Sequence, residues 1–303
     1  MNGITLKQLR YFEALARHKH FGRAAEVCSI TQPALSQQIK ELEGILGAPL
    51  VERGARHMRL TALGEAFVTR AQAILLGVDE LGDLVRANTG PLAGKLRLGI
   101  IPTVAPYLLP KIMMALTQSF PELAVELRET VTRSLIDDLL DARLDVAVLA
   151  LPISEPALTE FDLFAEDFVL VRPPEDADNA VPGPAMLQAM RLLLLEEGHC
   201  FRDQALSFCA VNKAQPKQVM EGSSLSTLVQ MVGARMGVTL IPEMAVALET
   251  KSADVAVARF PAPAPARKIG MVWRKTNPLS DQFREIGAIL RGIGGADQHK
   301  GST

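Results

Sequence analysis

Cysteine, tryptophan and tyrosine are all scarce in this chain of 303 residues, which has three, one and two of them. Cys28, Cys200 and Cys209 are too few and too scattered for a disulfide framework, and in a reducing compartment they rest as thiols. The few aromatic rings leave little material for an aromatic cage. No run of about 18 apolar residues is present, so no membrane span is expected. The opening MNGITLKQLR lacks the basic-then-apolar pattern of a secretory leader, so a cytoplasmic protein with no membrane partner is expected. His18, His20, His57, His199 and His299 show no metal-site spacing, and neither metal nor cofactor is expected.

What is there suits a soluble chain of two or three domains. Hydrophobic residues make up 48% and charged residues 22%, enough apolar material for real cores. The net charge of −2 is unevenly spread. Residues 1–65 carry nine Lys and Arg against six Asp and Glu, a basic head of +3 on a body of −5 that points the head toward an anionic partner.

Residues 6–18 place Leu6, Leu9, Phe12 and Leu15 at helical spacing. A short segment around Ala24-Ala25 and a turn at Cys28-Ser29-Ile30 follow. Over 31–43, Thr31 is an N-cap, Pro33 sits in the first turn where its missing N–H costs nothing, and Leu35, Ile39 and Leu42 form the apolar stripe. The polar face shows Gln32, Ser36, Gln37 and Lys40. This is the form of a helix-turn-helix whose second helix enters the major groove of double-stranded DNA. Thr31, Gln32, Pro33, Ser36, Gln37 and Lys40 are the expected contact residues, with Arg53 and Arg56 on a basic hairpin wing that also holds Arg59. A merely solvated helix face is the plainer reading of the same polar groups.

The order of these motifs resembles the winged helix-turn-helix of LysR-type transcription regulators. The carrying residues are Leu9–Phe12, Phe21, Ala24-Ala25, Thr31–Ser36, Ile39, Leu42-Glu43, Leu46-Gly47, Leu50, Arg53, Leu60-Thr61 and Gly64. Val51 and Leu63 depart from the usual pattern and touch only packing. Beyond it, Phe67, Ala71, Ile74, Val78, Leu81 and Val85 are spaced 4, 3, 4, 3, 4, the seam of two helices packing on each other. That implies a homodimer through residues 63–87. An amphipathic helix lying on its own domain is the alternative.

From residue 93 the period changes. Strands are expected over 95–101, 123–129 and 145–151, with helices over 106–119 and 133–142 between them, a βαβαβ rhythm for a parallel sheet. Further elements follow at LLLLEE, 201–211, 224–236, GVTLIP, 267–273 and 278–292. The expected fold is therefore α/β overall. An N-terminal all-α winged helix-turn-helix (1–62) and a long linker helix (63–90) precede a two-lobed effector domain (91–303), similar to the periplasmic-binding-protein folds that LysR-type effector domains share. Thr103, Thr132 and Ser223-Ser224, at the ends of strands, are cleft candidates or simple caps.

Glu197-Gly198-His199-Cys200 opens a helix that runs toward Cys209. A helix N-terminus favours a thiolate, and His199, if protonated, and Arg202 would add to that. On one helix, nine residues span about 13–14 Å and leave the two thiols on opposite faces, so any bond between them requires the helix to unwind. One buried and one incidental cysteine is the alternative. The stretch resembles the redox segment of the peroxide-sensing members of the LysR family, as do GIIPTVAPYLLP (99–110), ETVT (129–132), GVTLIP (237–242) and RKIG (267–270). The resemblance runs from residue 5 to about 290. It implies Cys200 as the residue oxidised by hydrogen peroxide and Cys209 as its disulfide partner. Thr103, Thr132, His199, Arg267 and Asp203 would form the peroxide pocket. Implied partners are DNA, hydrogen peroxide, a second copy within a homotetramer, RNA polymerase and a cellular dithiol reductant. The implied role is regulation and not catalysis. Two further readings stay open: a regulator binding a small metabolite between the lobes with silent cysteines, and a thiol peroxidase or solute-binding protein. The helix-turn-helix and the missing leader oppose the last.

Overall fold

The computed structural model describes residues 3–52, 58–88, 92–208 and 219–298. It forms two compact units, Met1–Val85 and Arg86–Thr303.

In the first unit, α1 (Leu6–His18) begins with a capping box in which Thr5 accepts from the Gln8 N–H and the Gln8 side chain accepts from the Thr5 N–H. Helix α2 (Phe21–Val27) is capped by His20 and α3 (Gln32–Leu46) by Thr31. Gly47 ends α3 at φ 68°, a left-handed conformation suited to glycine. Phe12, Leu15, Ala24, Leu35 and Leu42 are fully buried and fix the three helices on one core. Buried Glu43 accepts from the N–H groups of Leu50 and Val51 and so ties the hairpin to α3. Val51 pairs antiparallel with Leu60. Gly64 is dictated by space, since a Cβ there would lie 2.2 Å from the Leu50 carbonyl oxygen.

Helix α4 (Ala62–Asn88) divides the expected seam. Ala71 and Leu75 pack with Phe67 against Leu9 of α1 within their own unit. Ile74, Leu81, Leu84 and Val85 are 51–63% exposed, so the second half of the stripe is open.

The second unit begins with β1 (Gly94–Ile100), α5 (Ala105–Ser119), β2 (Leu123–Glu129), α6 (Thr132–Leu140), β3 (Val146–Leu151) and the long β4 (Leu158–Arg172). Then come α7 (Pro184–Ala189), β5 (Leu192–Leu195), α8 (Cys200–Phe208), β6 (Val219–Gly222), α9 (Leu225–Gly233) and β7 (Thr239–Pro242). The last elements are α10 (Val246–Glu249), β8 (Ala256–Arg259), β9 (Ala266–Arg274) and α11 (Ser280–Gln298). The strand order is β2-β1-β3-β9-β4-β7, with β8 also on β4 and β5-β6 as a separate pair. The expected parallel pairing is present over β2-β1-β3, and β5-β6 of the second lobe are parallel too. Strands β9 and β4 join antiparallel because the chain crosses to a second lobe and returns. Each lobe has its own core, one around Ile100, Val148 and Trp273 and one around Phe168, Leu193 and Val229. Strand β4 serves both. Among the described residues no helix is long and apolar enough to cross a membrane.

Candidate functional site

On α3 the geometry separates packing from display. Leu35, Ile39 and Leu42 are buried at 0–3% exposure, while Thr31, Gln32, Pro33, Gln37 and Lys40 are exposed and Ser36 is half-buried. Gln37 donates to Glu41 at 3.0 Å, which orients its amide along the helix. Thr31 is occupied as the cap, its hydroxyl accepting from the Ala34 N–H at 3.4 Å. Arg53 and Arg56 lie outside the described residues.

In the second unit, the loops after β1, before α6 and before α8 meet. Gly198 takes φ 97°, where a side chain would be strained, and turns the chain so that Cys200 starts α8. Ile101, Pro102, Thr103, Val131, Thr132, His199, Cys200 and Phe201 line one small, tightly packed cavity. Four of the residues expected at this site, Thr103, Thr132, His199 and Cys200, therefore share one cavity. The Cys200 thiol is free and half-buried. Cys200 packs against the core of the first lobe, whereas Phe201 and Ala205 of the same helix belong to the core of the second.

The two threonines differ. The Thr103 hydroxyl accepts from Arg267 Nη1 at 2.8 Å, and its carbonyl accepts from Nη2 at 3.0 Å. The buried Thr132 hydroxyl has no hydrogen-bond partner, although buried polar groups normally find one. It can both donate and accept inside the cavity. Arg267, 3% exposed, is held from behind by Glu166 at 2.7 Å, and its guanidinium lies 5.4 Å from the Phe201 ring centroid. Burial pushes the Glu166 carboxyl above its ordinary range against the pull of Arg267.

Three expectations about charge and placement change. Burial lowers the His199 imidazole below its ordinary value, the opposing pull of Glu196 notwithstanding, so at neutral pH it is uncharged and adds no cation beside Cys200. Arg202 is turned to Glu221 (2.6 Å) and the Leu195 carbonyl (2.9 Å). Asp203 is exposed and lines a different, open depression with Phe168, Ser207 and Phe208, so it is not in the cavity. Cys209 lies outside the described residues. Glu166 and Phe201 were not foreseen. A carboxylate inside the apolar run of β4 is the one sequence signal for Glu166, since a buried acid requires a partner. Ser224 takes the plain reading and caps α9. Among the described residues no cluster could hold a metal ion.

The lysR-family model of bacterial regulatory helix-turn-helix proteins matches residues 6–65, and the LysR substrate binding domain matches 89–293. A probable hydrogen peroxide-inducible genes activator from Streptomyces viridosporus is 42% identical over 292 residues, covering 95% of this chain and 93% of that one. A full-length OxyR variant from Pseudomonas aeruginosa superposes with TM-score 0.76 at 35% identity, over 96% of both chains. A hydrogen-peroxide-bound OxyR variant from Corynebacterium glutamicum gives TM-score 0.65 at 35% identity, over 95% of this chain and 91% of that one.

Proposed function

The chain belongs to the LysR family of transcription regulators, with a DNA-binding helix-turn-helix, and on that premise we propose that it responds to hydrogen peroxide through Cys200. One observation carries this reading: the unpaired buried hydroxyl of Thr132 and the free thiol of Cys200 line the same small, tightly packed pocket. Small-metabolite sites run to roughly 300–1,000 Å³. The lining here is too closely packed for such a ligand, and a reactant as small as peroxide enters only as the lining gives slightly. Likeness to peroxide-inducible activators and to a peroxide-bound structure supports the same reading.

The chemistry proceeds in two balanced steps. The Cys200 thiolate attacks one peroxide oxygen, the O–O bond breaks, and hydroxide leaves to be protonated, giving a sulfenic acid. Thr103 and Thr132 orient the peroxide, and Arg267 acts through Thr103. The Cys209 thiol then attacks the Cys200 sulfur, releasing water and forming a disulfide that a cellular dithiol reduces. Because α8 separates these residues, bond formation unwinds it and withdraws Cys200 from the first lobe's core. We place Thr31, Gln32, Pro33, Ser36, Gln37, Lys40, Arg53 and Arg56 on DNA in the cytoplasm. The division at 1–62, 63–90 and 91–303 follows, with a homodimer through 63–87 supported by the exposed Ile74, Leu81, Leu84 and Val85, assembly to a homotetramer, and contact with RNA polymerase. Footprinting of operator DNA with wild type and Cys200→Ser, with and without peroxide, tests the proposal. The expected result is a peroxide-dependent change of footprint in wild type only; a change that survives in the variant contradicts it.

A second reading has one observation behind it. A larger groove of about 910 Å³, open to solvent and lined by Tyr107, Phe164, Phe168, Met244 and Phe260, has room for a metabolite.

A further inference from the structure

Helix α5 starts just after Thr103, and its first turn is anchored on the loop that carries that residue. The Tyr107 and Leu108 N–H groups both donate to the Val104 carbonyl. The Tyr107 side chain, however, leaves the first lobe. Its ring packs against the second lobe's core, and its hydroxyl donates to Glu249 Oε1 at 2.5 Å. Glu249, at the end of α10, is itself buried, and its other oxygen accepts from Ser226 Oγ of α9 at 2.6 Å. Each carboxylate oxygen thus has a hydroxyl donor, and one of the two donors comes from the opposite lobe. Burial and the Glu249 contact push the Tyr107 hydroxyl well above its ordinary range, so it stays protonated and available to donate. Charge-assisted O–H···O⁻ bonds of 2.5–2.7 Å are among the strongest in proteins.

We propose that Tyr107 is a positioning residue for peroxide chemistry: clasped by Glu249, it fixes the first turn of α5 and so holds Thr103 in the Cys200 cavity. Thr103 is then set from two sides. Arg267 grips its hydroxyl and carbonyl from the crossing strand β9, and the Tyr107 clasp anchors the helix that follows it. The inference rests on the reading that Cys200 reacts with peroxide.

The test compares two reactions of Cys200 in the full chain, oxidation by hydrogen peroxide and alkylation by iodoacetamide, each followed by mass spectrometry of the Cys200 peptide. Alkylation reports access and thiolate; only oxidation needs the oriented threonines. In Tyr107→Phe the ring remains and the hydroxyl is gone. Oxidation is expected to slow about tenfold while alkylation stays within about twofold, since small misplacements of positioning groups cost rate steeply. Glu249→Gln keeps an acceptor for Tyr107 and is expected to retain most of the oxidation rate, with Glu249→Ala as slow as Tyr107→Phe. Unchanged oxidation in Tyr107→Phe, an equal fall of both reactions, or a Gln variant as slow as Ala overturns the clasp. Wild-type Cys200 inert to peroxide overturns the sensing reading itself, which is a distinct result.

Discussion

On α3, the groups proposed to face DNA stand outside and the apolar residues beneath them are buried; around Cys200 the polar groups that would meet a ligand are themselves inside. Gln32, Gln37 and Lys40 come from one helix, and their arrangement needs only helical periodicity over a few turns. The cavity draws on the loop after β1, the start of α6 and the start of α8, and Arg267, behind its lining, reaches Thr103 across 164 positions of sequence. A display surface of the first kind tolerates single losses. An enclosed site of the second kind depends on every member, because low dielectric makes each unpaired group costly.

The contrast can be tested in order of expected effect. Cys200→Ser is expected to abolish the peroxide response while leaving reduced-state DNA binding intact; loss of binding in the reduced state would show that the two regions are not independent. Arg267→Met leaves Glu166 buried and uncompensated, and chemical unfolding of the second unit is expected to show a loss of about 3–5 kcal/mol, with the first unit unaffected in hydrogen exchange. Lys40→Ala is expected to weaken DNA binding across sequences and to reduce the salt slope by about 1, without altering the rate of Cys200 oxidation. Thr132→Val keeps the shape and removes the unpaired hydroxyl. Oxidation of Cys200 is expected to slow by up to about tenfold, the worth of one hydrogen bond. Thermal stability is expected to hold or rise, and a stability loss above about 1 kcal/mol would mean that the hydroxyl is paired in solution. His199 gives the smallest effect. Its folded value lies below the unfolded one, so the unfolded chain takes up the proton first as pH falls. Wild type is expected to lose stability below about pH 6.5 relative to His199→Asn. Parallel pH curves for the two proteins would show that His199 is not desolvated.

What could be read from sequence follows the same division. Helices α1 to α3 were legible because the spacing of Leu6, Leu9, Phe12 and Leu15, the cap at Thr31 and the stripe Leu35, Ile39, Leu42 are local signals. Thr103 and Thr132 were cleft candidates from their place after strands, and Cys200 with His199 stood out at a helix start; only likeness to a family grouped the four, and nothing in their spacing says that they meet. Strand β4 was not anticipated, because Glu160, Asp162, Glu166 and Asp167 break its apolar pattern. Two of these acids find cations on β9, about a hundred positions away, Asp162 on Lys268 and Glu166 on Arg267. A third, Glu160, accepts from the Ile153 and Ser154 N–H groups. Asp203 was misplaced for a related reason. Three positions past Cys200 on α8 it is close in sequence, yet it looks toward Phe168 and Phe208 and away from the cavity. The charge state of His199, left conditional in the sequence, turns on burial that disfavours its cation, a tertiary effect that residue type does not announce.

The most direct measurement is time-resolved mass spectrometry of Cys200 in the full-length reduced protein after a brief exposure to less than one equivalent of peroxide. The expected sequence is sulfenic acid on Cys200 followed by a bond to Cys209, complete before Cys28 is touched. Cys200 still a thiol after the peroxide is consumed, or Cys28 oxidised first, would contradict the account.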